Sequence, residues 1–147
     1  MWEIIELRQV IEERAFLNVM SRYVRNKQAL DVFVGRLQAE VEAMRAAAAG
    51  HSIEELNRAD YNFHAVIIGE GGNNLFRNIY RTLHSFMREE IFKTYTAMED
   101  LGDVSRDHQE IVDAAAGGDL GRAVARHSAH FSRIKGLLTP KMAAQKN

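Results

Sequence analysis

Cysteine is absent from the 147 residues. That excludes a disulfide framework and any thiolate zinc site, and fits a reducing compartment. Proline occurs once, at Pro140, so nothing before it forbids long uninterrupted helices. Net charge is nearly absent too, at −1. With no basic stripe, this chain by itself is a poor reader of DNA or RNA. No apolar run approaches the roughly 20 residues of a membrane span, and the N-terminus lacks the basic-then-apolar leader pattern. No alternating strand pattern and no fixed-period repeat persists. The expectation is one soluble, cytoplasmic, all-α domain, large enough to bury a core.

What is there is helical periodicity. Ile4, Leu7, Ile11, Ala15 and Val19 draw one apolar stripe over about residues 2–22. Arg8 and Glu12 lie a turn apart beside it, and the default reading is a solvated ion pair, with Arg8 entering a central pocket as the sharper one. A second helix spans about 26–49, from Leu30 to Ala48 on its buried face, with Gly50 suited to a left-handed C′ position and His51 solvated in the connection. Ser52-Ile53-Glu54-Glu55 has the form of a capping box that opens a third helix, which ends at Gly69, Gly71 and Gly72. Asn73 or Asn74 can cap a fourth helix over about 74–96. That helix carries two stripes, Leu75, Ile79, Leu83 and Phe86 beside Phe76, Tyr80, Met87 and Ile91, which suggests a central position. Ser105 is a candidate N-cap for a fifth helix holding His108 in its first turn. Gly117-Gly118-Asp119 separates it from a sixth that ends near Leu138, followed by a polar tail over 139–147.

Polar residues break the apolar faces at a few places. Asp60 and His64 are four apart, so both project from one face of the third helix, among Leu56, Phe63 and Ile67. His108 follows on the fifth helix, and His127 and His130 both lie on or beside the apolar face of the sixth. Without partners, each such group would cost about 1–3 kcal/mol to bury. Nitrogen and oxygen ligands from facing helices can build a metal site in a bundle. Imidazoles with one carboxylate suit Zn, Ni, Co, Mn or Fe rather than Ca or Mg, with Zn or Ni first by raw affinity and availability. Periodicity does not choose between His127 and His130, and a metal-free hydrogen-bonded cluster is the plainer alternative.

The succession Asp60-x-x-Phe63-His64, Gly72-Asn73, His108-x-x-Ile111-x-x-Ala114, Gly118-Asp119 and His130, with Glu6-Leu7-Arg8 and Glu12 ahead of it, resembles the FCD domain. That domain is the effector-binding part of FadR-type regulators in the GntR family. The likeness covers residues 1–138. It implies an antiparallel bundle of six to seven helices around a metal and ligand cavity. It also implies a metal held by Asp60, His64, His108 and His130, the 22-residue step from His108 selecting His130 and leaving His127 to an outer shell or the surface. Small carboxylates are the implied effectors. Arg8, Asn73 and Arg88 are candidate ligand contacts, since a guanidinium can grip a carboxylate with two bonds. A homodimer is implied as well, with DNA reached only through an attached winged helix-turn-helix that this chain lacks. Asn74 departs from the family pattern, standing where a proline is usual. The rival readings are a small metal-dependent, hydrolase-like enzyme and a metal-free helical interaction module.

Overall fold

A computed structural model describes the backbone of residues 1–144 and the side chains of residues 1–138. It contains six helices and, among the described residues, no strand: α1 Trp2–Tyr23, α2 Lys27–Ala49, α3 Ile53–Gly71, α4 Asn74–Thr96, α5 Gly102–Ala116 and α6 Leu120–Ala144. The fold is the all-α bundle expected. No helix among the described residues is long and apolar enough to cross a membrane.

Local chemistry sets most of the helix ends. The Asn26 side chain accepts from the Ala29 amide at 3.1 Å and starts α2. Ser52 Oγ accepts from the Glu55 amide at 3.3 Å, whereas the Glu55 carboxylate turns to Arg58, so only half of the capping box forms. Asn73 Oδ1 takes the Phe76 amide at 2.9 Å and Asp119 Oδ1 the Arg122 amide at 2.9 Å, opening α4 and α6.

Three ends differ from the sequence-based expectation. At the end of α2 the left-handed residue is His51 (φ 51°), and Gly50 keeps a negative φ. Bonds from the Ser52 and His51 amides to the Ala47 and Ala48 carbonyls close a Schellman turn one residue later than glycine preference suggests. Helix α5 begins at Gly102, not after Ser105, because Asp100 Oδ1 caps the Gly102 amide at 2.8 Å. Ser105 therefore lies inside the helix and returns its hydroxyl to the Gly102 carbonyl at 2.9 Å. Helix α6 does not stop near Leu138 but runs on past position 140, so the tail is helical as far as Ala144; residues 145–147 lie outside the described residues.

Helix α3 is the hub. It packs against α1, α2 and α4, while α2 also meets α5, and α6 lies against α1 and α5. Leu37, Val41, Met44, Leu56, Phe63, Ile67, Ile111 and Ala115 fill the space among α2, α3 and α5. Helix α4 is peripheral rather than central. It buries Tyr80, Leu83, Met87 and Tyr95, and leaves Leu75 and Phe86 more than 60% exposed (63% and 64%), because only α3 and α1 cover it closely.

Helices α1 and α3 run parallel in close contact, and their C-terminal halves are stitched by polar bonds. Asn18 donates to the Gly71 carbonyl at 2.9 Å, Arg22 to the Glu70 carbonyl at 2.7 Å, and the Tyr23 hydroxyl to Glu70 at 2.9 Å. A Cβ on Gly71 would fall 1.8 Å from the Ala15 carbonyl oxygen, a backbone atom that cannot swing away. Gly71→Ala is therefore expected to force the two helices apart and destabilise the domain by about 1–3 kcal/mol or more. Gly69→Ala, where a Cβ meets nothing within 4 Å, should be neutral or slightly stabilising when the two variants are compared by urea unfolding.

Candidate metal centre

The parallel run of α1 and α3 brings Glu12 beside His64, and the tight α5–α6 turn folds His130 back over His108. Four helices thus deliver polar side chains to one point inside the bundle. His64, His108 and His130 are 0–3% exposed and Asp60 is 5% exposed. The helix hairpin explains why a long sequence gap between His108 and His130 closes to a ring-centroid distance of 4.6 Å.

Each of the three imidazoles is held from behind through Nδ1. His64 Nδ1 donates to Glu12 Oε2 at 2.5 Å, His108 Nδ1 to the Val104 carbonyl at 2.7 Å, and His130 Nδ1 to Asp107 Oδ2 at 2.5 Å. A carbonyl can only accept, and an ionised carboxylate likewise, so Nδ1 carries the proton in each ring. All three Nε2 atoms then lie on the far side of their rings from these acceptors and converge on one another. His64 Nε2 and His108 Nε2 are 3.2 Å apart, and Asp60 Oδ1 lies 2.9 Å from His108 Nε2 and 3.6 Å from His64 Nε2. His130 Nε2 is buried without a hydrogen-bond partner. The ligand atoms of the three histidines lie within 4.8 Å of one another. Three ring nitrogens and a carboxylate converging on one buried point form a group that could hold a metal ion.

The protonation balance points the same way. Burial pushes the Asp60 carboxyl up, but hydrogen bonds from His108 and His64 outweigh it and leave the group ionised, well below its usual range. Burial pulls His64 down, and the Glu12 carboxylate more than reverses that, so His64 is shifted up. His130 is pushed down to about 4, burial prevailing over its bond to Asp107. It is neutral near pH 7, the form that binds metal. The residues present fit a divalent transition metal, with the outer carboxylates and carbonyl orienting each ring.

Residues 3–133 match the family model described as the FCD domain. The chain belongs to this family. FCD domains are the effector-binding domains of GntR-family regulators. A search of the curated proteins finds no match.

The structure brings Asp60, His64, His108 and His130 of this FCD domain together, and it distributes the other candidates unequally. Arg8 is buried, not solvated. Its Nε donates to Glu12 Oε1 at 2.6 Å, and its guanidinium lies 5.7 Å from the centroids of both Tyr80 and Phe131. It lines a cavity that also reaches Asp60, His108 and His130. Asn73 and Arg88 are elsewhere. The Asn73 side chain is exposed and occupied as the cap of α4. Arg88 is exposed in an open groove between α3 and α4, beside Arg81 and His84, on a different face of α4 from Met87 and Ile91. His127 is not at the surface. It is fully buried, stacked on Phe16 at 4.6 Å, with both ring nitrogens unpartnered and Nε2 3.8 Å from Glu12 Oε2.

Two residues that hold the histidine cluster escape sequence reasoning. Glu12 reads from spacing as half of a surface pair, yet it is fully buried and bridges Arg8 to His64. Asp107 orients His130 and also lies 3.3 Å from Arg133 and 3.5 Å from Arg126. Its only sequence signal is adjacency to His108, and neighbours in a helix point in different directions.

Proposed function

We propose that this FCD domain holds a divalent transition metal through Asp60, His64, His108 and His130, and senses a small carboxylate in the adjoining cavity. Zn or Ni is the first choice, with Mn, Co or Fe also compatible with the donor set. The observation that carries the reading is the convergence of three Nε2 atoms, each fixed by an acceptor on Nδ1. When bound, the ion offers an open coordination position to a carboxylate oxygen.

The chain's own residues supply the rest. Arg8 commits Nε to Glu12, which leaves its two terminal nitrogens for an anion in the cavity that Arg8 lines. The pair with Glu12 keeps the guanidinium in place and carries its position on to His64. The cavity is bounded by α4, α5 and α6, so a ligand that draws these helices together changes their relative placement. In a dimeric regulator such a shift would reposition attached DNA-binding domains, provided the ligand favours one arrangement over the other. The role is regulatory rather than catalytic.

Metal analysis of the purified domain, followed by thermal melts with small organic acids, tests this. The expected result is close to one equivalent of metal and a melting temperature raised by at least one carboxylate, with the acid recovered unchanged. Arg8→Lys should weaken that stabilisation about tenfold while metal content stays. Absence of bound metal after loading would sink the metal reading, and turnover of the acid would replace the sensor with an enzyme.

A further inference from the structure

The cavity beside the histidines is not evenly polar. Its far wall, toward solvent, is made by Met87, Ile91, Met98, Ile134, Leu137 and Leu138 from α4, the turn after it, and α6. Leu137 is 43% exposed there, an apolar side chain at the rim. The polar side chains along the same cavity each already hold at least one partner within the chain. Asp107 holds His130 and Arg133, and Glu90 pairs with Lys93 at 3.0 Å. The Thr94 hydroxyl bonds the Glu90 carbonyl at 2.8 Å, and the Tyr95 hydroxyl is bonded to Asp60. Uncommitted donor capacity is concentrated at the inner end, in the guanidinium of Arg8.

On the reading that this cavity takes a carboxylate, we infer that the effector is a monocarboxylate with an unsubstituted hydrocarbon body, and not a hydroxylated sugar-type acid. A carboxylate at the inner end would meet Arg8 and the metal ligands. The remaining atoms would lie along methionine, isoleucine and leucine side chains, which offer no partner to a hydroxyl. Each hydroxyl buried there without a partner loses on the order of tenfold in affinity. Each buried methylene gains about fourfold.

Size narrows the class further. The space is about 80 Å³ and open to solvent at one end, smaller than the ~150 Å³ closed cavity that accommodates benzene. Because the space opens at the rim by Leu137, an unbranched chain can run along the wall and past the opening, which a rigid ring cannot do unless the wall moves. Met1, Met87 and Met98 border the space, and their unbranched side chains can shift to follow such a chain.

Isothermal titration of the zinc-loaded domain with acetate, hexanoate and gluconate is the test. Hexanoate and gluconate have equal carbon number and charge, and differ in hydroxyls alone. Hexanoate is expected to bind at least a hundredfold more tightly than gluconate and at least tenfold more tightly than acetate. Met87→Gln, which puts an amide into the wall, should weaken hexanoate about tenfold and leave acetate unchanged. Should that variant not fold, the three-acid comparison on the unmodified domain decides the matter alone. Gluconate binding as well as hexanoate would overturn the inference while leaving the carboxylate reading intact. No binding by any of the three, nor by citrate, would overturn both.

Discussion

Glu12→Ala is expected to destabilise the domain by about 3–5 kcal/mol, the range for removing one partner of a buried ion pair. Arg8 is 3% exposed and Glu12 0% exposed, so the guanidinium would be left charged in the interior without its anion. The pair's mutual attraction is visible in its titration. The Arg8 guanidinium is shifted up and the Glu12 carboxyl down, although burial opposes both changes. The substitution also removes the acceptor for His64 Nδ1, so the ring can rotate or change tautomer. Two measurements separate the effects. Urea unfolding of the metal-free domain reports the ion pair, and metal affinity reports the freed histidine, with an expected loss of 10–100-fold as for other partners of metal-bound histidines. Glu12→Gln should keep part of the packing but lose the charge, and fall between wild type and alanine in both. A double change of Arg8 and Glu12 to apolar residues should recover much of the stability and none of the metal affinity. A loss below 1 kcal/mol for Glu12→Ala would mean that the pair is not closed to water.

The second large effect is expected from the metal itself. Loading the domain with zinc or nickel at about a thousandfold excess over its dissociation constant should add about 4 kcal/mol of stability, which a chelator removes. His108→Ala should abolish that gain and also shed the cost of crowding two Nε2 atoms at 3.2 Å. The metal-free form is expected to lose stability in acid. His127 is pushed down to about 3 and His130 to about 4, burial being the main cause in both. Both folded values lie below the roughly 6.5 of an unfolded imidazole, so between these limits the unfolded chain binds more protons. Stability contributed by these neutral rings is present above about pH 6.5 and is lost as pH falls toward 4. Glu12, Asp60 and Asp107 act in the same direction at lower pH, because their folded values are depressed; His64, shifted up, opposes the trend. Melting temperatures between pH 7.5 and 4.5 should therefore fall, and His127→Met, which removes a buried ring with two unpartnered nitrogens, should flatten the curve and raise the value at pH 7. A pH-independent melting temperature, or a zinc effect that survives His108→Ala, would contradict this account.

Much of the candidate site was readable before folding was considered. Asp60 and His64 share a face by helical spacing alone, and both are buried among the core residues expected beside them. Periodicity also singled out His108 and left His127 and His130 open, and the resemblance to the FCD family selected His130. What spacing could not supply was the second layer. Arg8 and Glu12 obey the rule for an exposed intrahelical pair, and nothing in their own helix distinguishes that from a buried one. The difference arises because α3 and α6 cover that face of α1. His127 and His130 differ by less than one turn, and only the packing of α6 sends one ring to the histidine cluster and the other against Phe16. Asn73 had two compatible roles, and the local one, capping α4, prevailed because its side chain reaches the Phe76 amide within its own turn.

By itself, then, the sequence determined the elements: six helices, their approximate ends, the apolar faces, and the polar residues that interrupt those faces. These are properties of spacing within a helix, where neighbours at three and four residues are fixed by backbone geometry. Only the tertiary structure decided which face meets which. Parallel packing of α1 and α3 joined Glu12 to His64, the α5–α6 hairpin joined Asp107 to His130, and α4, placed at the periphery, turned Arg88 outward while Met87 faced the cavity. Those pairings depend on contacts between residues far apart in the chain, and no local periodicity encodes them.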